Sequence, residues 1–129
     1  MTPRRTIEVL ALLTGYSGAT PEAEIQTISG ALRPEERELM MHSYADYNLH
    51  LAFAQCGGGY LADVAVAIHG ADGRLLWSGI SEGPFFFAQM PRGQYQVTAE
   101  FDGNAVTRKI SVGLVPGPMH HFRWSVLLN

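Results

Sequence analysis

From Asn48 onward, apolar residues recur at every second position, and a turn signal interrupts the recurrence at nearly every joint. Period-two alternation places successive side chains on opposite faces of a strand. Each such run therefore needs a facing layer to bury its apolar side. Leu49, Leu51 and Phe53 alternate with His50, Ala52 and Ala54, and Gly57-Gly58-Gly59 ends the run. Val64, Val66 and Ile68 alternate with Ala65, Ala67 and His69. Asp72-Gly73 then signals a hairpin, because glycine accepts the positive φ of a tight turn. The return strand runs from Arg74 to Ser78, with Leu75 and Trp77 on one face. After Pro84, Phe85-Phe86-Phe87 breaks the alternation, as expected of a strand covered on both faces. Tyr95, Val97, Ala99 and Phe101 form the clearest half-buried strand, and Asp102-Gly103-Asn104 turns it back. Val106, Ile110 and Val112 follow, with Thr107, Lys109 and Ser111 facing out. Beyond the Pro116-Gly117-Pro118 loop, Phe122, Trp124 and Val126 alternate in the last strand.

These runs make about seven strands at roughly 8–12-residue spacing, the pattern of an antiparallel sandwich or barrel. No long helix separates them, which excludes a parallel α/β sheet. The expected fold is all-β, a seven-stranded antiparallel Greek-key β-sandwich with a short N-terminal helix. Phe53, Trp77, Phe101, Phe122 and Trp124 should point inward and dominate the core. The helix starts at Pro34, whose missing N–H costs nothing in a first turn. Glu35, Glu36 and Glu38 complement the helix dipole there. Leu39, Met40 and Tyr44 form its apolar stripe, and it should end between Tyr44 and Tyr47. Residues 20–46 read as a linker plus this helix, with Thr20 to Ala31 a loosely held arm, and residues 47–129 as the sandwich domain.

Composition narrows the function. At 129 residues, 47% apolar and 16% charged, the chain is too apolar for disorder, and no run is long enough to cross a membrane. Nine Lys and Arg stand against 12 Asp and Glu, a net charge of −3 with no basic stripe, which points away from nucleic acid. The lone Cys56 forms no disulfide within the chain. It reads as a small residue at a strand end, with a dimer disulfide or a redox role as the alternative. Arg4 and Arg5, the apolar stretch Ile7 to Leu13 and the small residues Ser17 and Ala19 together resemble a signal peptide cleaved after Ala19. The alternative for residues 1–19 is an N-terminal arm. Periplasmic or secreted localisation follows from the first reading, cytoplasmic from the second.

Several segments in order resemble the carboxypeptidase regulatory-like domains, a transthyretin-like (prealbumin-like), Ig-like β-sandwich group, and within it small exported bacterial proteins. They are Tyr47-Asn48-Leu49, Gly59-Tyr60-Leu61-Ala62-Asp63-Val64, Asp72-Gly73, Ser81-Glu82-Gly83-Pro84-Phe85, Met90-Pro91-Arg92-Gly93-Gln94-Tyr95-Gln96-Val97 and Phe122-Arg123-Trp124. The resemblance implies a non-enzymatic accessory, structural or binding domain of the bacterial cell envelope, with no cofactor. In the Pro91-x-Gly93-x-Tyr95 stretch, proline fixes φ, glycine permits the turn, and Tyr95 puts its ring in the core with its hydroxyl at the edge.

Two other function classes stand beside this one. His50, His69, His120 and His121 are candidate metal ligands: His120 and His121 are adjacent and point to opposite faces of a strand, so His50, His69 and one of that pair would share an outer sheet face and chelate copper or zinc. A small transthyretin-like hydrolase is the third reading. Hydroxyisourate hydrolases end in Tyr-Arg-Gly-Ser, whereas this chain ends Ser125-Val126-Leu127-Leu128-Asn129, so only His120 and Arg123 echo them. For a binding module, Tyr60 and Phe85 to Phe87 suggest a stacking surface for a carbohydrate or protein partner. A sheet edge offers strand addition or a homodimer.

Overall fold

The seven period-two and apolar runs after Asn48 form strands in the computed structural model, which describes residues 25–125; Val126, expected in the last of them, lies outside the described residues. The signal-peptide or arm segment, 1–19, lies outside the described residues. The strands are β2 (Leu49–Gln55), β3 (Val64–Gly70), β4 (Leu75–Ser81), β5 (Phe85–Gln89), β6 (Gly93–Phe101), β7 (Asn104–Val112) and β8 (Met119–Trp124). An eighth strand, β1 (Gln26–Gly30), comes from the segment expected to be a loose arm. Its short run lacks a strong alternating pattern, and its place comes from antiparallel pairing with β5, Gln26 opposite Gln89 through Gly30 opposite Phe85.

The strands form two sheets of four, ordered β1-β5-β2-β8 and β4-β3-β6-β7. They are called here the first and second sheet. All pairings but one are antiparallel. The exception to the antiparallel expectation is β2 with β8, which run parallel from His50 opposite Met119 to Gln55 opposite Trp124. Between the sheets lie Leu49, Leu51, Phe53, Phe86, Phe122 and Trp124 from the first, facing Val64, Val66, Ile68, Tyr95, Val97 and Ala99 from the second. Phe53 packs against Phe122 and Trp124 with ring centroids 5.8 and 6.2 Å apart. Trp77 and Phe101 are half-buried against the same cluster.

The first sheet is covered on its other face as well. Helix α1 (Pro34–His42) and the 3₁₀ turn Tyr44–Asp46 lie over it, so that Phe85, Phe87 and Ala52 are buried with Ala31 and Met40. This double burial is the reason β5 reads as continuous phenylalanine, and why β2 is buried at five successive positions, Leu49 to Phe53. The helix starts where expected. Glu36 accepts hydrogen bonds from the Leu32 and Arg33 amides at its N-terminus, 3.1 and 3.4 Å. It ends at His42, earlier than the stripe suggests, and Leu39 is exposed rather than part of that stripe. Met40 and Tyr44 alone face the sheet, because residues one turn apart share a helix face and Leu39 does not share theirs.

Two turns obey their glycines. The β6–β7 hairpin has a two-residue loop, Asp102-Gly103, with both φ positive at 55° and 81°. That is the type I′ geometry that Asp-Gly favours. Gly83 lies against the backbone of Gly30, where any Cβ would collide with the Gly30 carbonyl. In β4, a bulge opposite Ile68/His69 shifts the register, pairing Ile68 with Trp77 but His69 with Leu75. The shift turns Leu75 to solvent, 52% exposed, instead of inward with Trp77.

One buried amide ties the strand ends together. Asn48, 6% exposed, accepts from the Met90 amide (2.8 Å) and donates to the Met90 and Gly113 carbonyls (2.8 and 2.9 Å). It thus joins the start of β2 to the β5–β6 and β7–β8 connections. Asn48→Ala should cost about 2 kcal/mol in denaturant unfolding, since the buried Met90 amide and carbonyl lose their partner and the half-buried Gly113 carbonyl loses its own. Gly83→Ala should cost about 2 kcal/mol in the same assay, because neither backbone at that contact has room to move aside.

Candidate functional site

Histidines carry much of the sequence's potential chemistry, and the two sheets divide them. His50 is in β2 and His120 and His121 in β8, all in the first sheet, whereas His69 is in β3 of the second. The outer sheet face that His50 and His69 were expected to share does not exist. Neighbouring β8 residues point to opposite faces, so His120 sits with Phe122 on the inter-sheet side and His121 on the outer side, exposed. Among the described residues, no group of three or more His, Cys, Asp or Glu side chains is placed to hold a metal ion.

His50 is fully buried. Its ring stacks flat on Tyr44, centroids 3.5 Å apart, and meets Phe87 edge-on at 4.8 Å. Nε2 donates to the Tyr44 carbonyl at 2.8 Å, and Nδ1 has no hydrogen-bond partner among the described residues. The Tyr44 hydroxyl in turn donates to the Gly117 carbonyl at 2.7 Å. His50 therefore joins the 3₁₀ turn to the first sheet. Burial lowers its pKa from the usual 6.5, with the Tyr44, Gly117 and Tyr47 carbonyls pulling the other way. Burial also lowers the pKa of His120, and the Arg108 guanidinium beside it acts in the same direction.

The aromatic surface is largely internal. Phe85 to Phe87 are all buried. Tyr60 is 49% exposed, with its edge toward Phe85 at 6.2 Å and the Arg37 guanidinium over its ring at 4.9 Å. Cys56, expected as a packed strand-end residue, is exposed just past β2. Its amide donates to the Trp124 carbonyl at 2.7 Å.

Open concavities on the surface formed by the described residues include the following two. One, about 330 Å³, lies on the outer face of the second sheet and is floored by Ala65, Ala67, Ser78, Gly79, Ile80 and Thr98. The other, about 470 Å³, lies beside the β6–β7 turn and the end of β8, with Asp102 and Arg123 among its walls.

One residue of interest escapes the sequence pattern. Arg108 pairs with Val97, a fully buried core residue, and so occupies an inward position of β7. It sits at the open margin of the sandwich with its guanidinium 5.2 Å above the Phe122 ring. The available signal was a gap: a charged residue falls between Val106 and Ile110, where the alternation calls for an apolar one.

Comparison with known proteins adds nothing to these observations: no family model matches the chain, and no curated protein does.

Both shifted histidines are held neutral by the fold. The unfolded chain, with ordinary histidines near 6.5, binds protons that the folded chain refuses, so stability rises with pH across that range. The unfolding midpoint should hold steady above about pH 6.5 and fall progressively below it. His50→Phe should flatten part of that slope in pH-dependent denaturant melts. An unchanged slope would mean that His50 is not buried in its neutral form.

Proposed function

We propose that this chain is a non-enzymatic accessory, structural or binding sandwich of the bacterial cell envelope, of the carboxypeptidase regulatory-like, transthyretin-like kind. One observation carries the reading: among the described residues, the buried polar side chains Asn48, His50 and Ser81 bond the chain's own backbone. Asn48 holds Met90 and Gly113, His50 holds Tyr44, and the Ser81 hydroxyl donates to the Gly83 carbonyl at 2.7 Å. Such side chains hold a fold together, and the chemistry left to the chain lies in its solvent-facing sheet and strand edges.

The Pro91-x-Gly93-x-Tyr95 stretch supports the family assignment. Tyr95 is buried with its hydroxyl donating back to the Pro91 carbonyl. This corner, a ring in the core tied to the backbone a few residues upstream, is a recurrent device of sandwich domains. The chain passes from one sheet to the other between β2 and β3, β4 and β5, β5 and β6, and β7 and β8, which supports a Greek-key path. Among the described residues, no helix is long and apolar enough to cross a membrane. Export rests on the N-terminal pattern of Arg4, Arg5 and Ile7 to Leu13.

Expression of the full chain in a bacterial host, with fractionation and intact-mass measurement, tests the envelope assignment. The mature product should begin at Thr20 and appear in the periplasm; an uncleaved cytoplasmic chain would contradict it. Zinc or copper added to the purified protein should leave its unfolding midpoint unchanged, because a ligand stabilises only the state it binds. A saturable rise abolished by His120→Ala or His121→Ala would favour the metal-binding reading instead.

A further inference from the structure

Strand β7 is an edge: it pairs with β6 along its whole length and has no second neighbour among the described residues. Its nine residues match β6 one to one without a bulge, and they include no proline. The other edges are poorer templates. β1 has five residues, β8 has six, and β4 is bulged. A long regular edge presents a row of unpaired N–H and C=O groups to any extended chain.

The margin along β7 is cationic, although the chain as a whole carries −3. Arg108 and Lys109 stand at its middle and point to opposite faces. Neither forms an ion pair with an acid among the described residues, where the bridges are those of Arg33 with Glu35 and Glu36. β8 borders β7, since the Trp124 indole donates to the Asn104 carbonyl at 2.9 Å and Arg108 covers Phe122. His120, two residues before Phe122 on the same face, therefore stands beside Arg108, and exposed His121 and Arg123 lie on the other face of β8.

We propose that β7 receives an acidic extended segment of a partner protein as an added strand. This deepens the binding role proposed above and rests on it. Backbone hydrogen bonds supply the attachment, and side chains at alternate positions supply the selection. Two adjacent acidic residues on the incoming strand point to opposite faces, one toward Arg108 and one toward Lys109. An uncharged strand would desolvate Arg108 without a counter-charge, which is costly. A second copy of the chain fits badly for the same reason. An antiparallel β7–β7 pair centred on Arg108, the middle residue of Asn104–Val112, would set that arginine against its own counterpart. Like charges directly opposite across a strand pair are destabilising.

The test titrates the ¹⁵N-labelled full chain with a blocked nine-residue peptide of alternating valine and threonine bearing two adjacent central glutamates. Shift changes should concentrate in residues 104–112. Affinity should fall at least tenfold when glutamine replaces the glutamates, and again when added salt screens the charges. The double variant Arg108→Gln, Lys109→Gln should bind at least tenfold more weakly. The exposed single variant Lys109→Glu, which leaves the core margin intact, should prefer a peptide with lysine at the matching position. The proposal fails if the glutamine peptide binds equally well, if the shifts fall away from β7, or if no binding is seen at millimolar peptide. It also fails if sedimentation shows a dimer of the free chain that the Lys109→Glu variant dissociates. None of these results bears on the export and metal experiments, which test the underlying reading separately.

Discussion

Burial of β2 and β5, the central strands of the first sheet, on both faces is the constraint on which the rest of the structure depends. A strand covered on one side needs apolar residues at alternate positions, whereas one covered on two sides needs them throughout. β5 meets the second demand with Phe85, Phe86 and Phe87: Phe86 faces the opposite sheet, while Phe85 and Phe87 face the helical layer. β2 beside it is buried from Leu49 to Phe53, so His50 must sit in the interior. Large aromatic side chains buried in this way are worth several kcal/mol each relative to alanine, so these few positions dominate the core.

The polar interactions then follow from that burial. A histidine inside an aromatic layer needs a partner for its N–H, and the Tyr44 carbonyl supplies it. The helical layer must arrive at a defined height over the sheet. The stacking of Tyr44 on His50 and the hydrogen bond from Tyr44 to Gly117 set that height from two sides. Asn48 performs a similar service at the strand ends, where three connections meet away from the regular ladders. The second sheet differs in kind: its outer face carries Ala65, Ala67, Thr98 and Ser78 with no covering layer among the described residues, and both of its lateral strands are edges. One sheet thus forms the centre of the molecule and the other presents its surface.

Much of this was legible in the residues. Period two marks every strand from β2 to β8 except β5, and β5 announces itself by losing the period. The Asp102-Gly103 turn and the Tyr95 corner follow from local chemistry that needs no tertiary information. What stayed hidden was whatever depends on pairing across long sequence distances. β1 has no strong pattern and owes its place to β5, more than fifty residues away by the numbering of their partners Gln26 and Gln89. The parallel run of β2 with β8 and the bulge that turns Leu75 outward are likewise properties of registers rather than of segments. The histidines illustrate the same boundary. Local pattern identifies their strands but not the sheet to which each strand belongs, and His69 lies in a different layer from His50, His120 and His121. Arg108 leaves only a gap in the apolar alternation of β7, and a pattern of apolar positions carries no information about the residue that interrupts it.

Residue-resolved amide hydrogen exchange on the full chain tests the central claim most directly. If the first sheet is the doubly buried centre, the hydrogen-bonded amides of β2 and β5 exchange only through global unfolding, the slowest class in the protein. The amides of β7 that face away from β6 exchange orders of magnitude faster. Exchange in β5 as rapid as at the β7 edge would contradict the account, because it would mean that the helical layer does not cover the sheet.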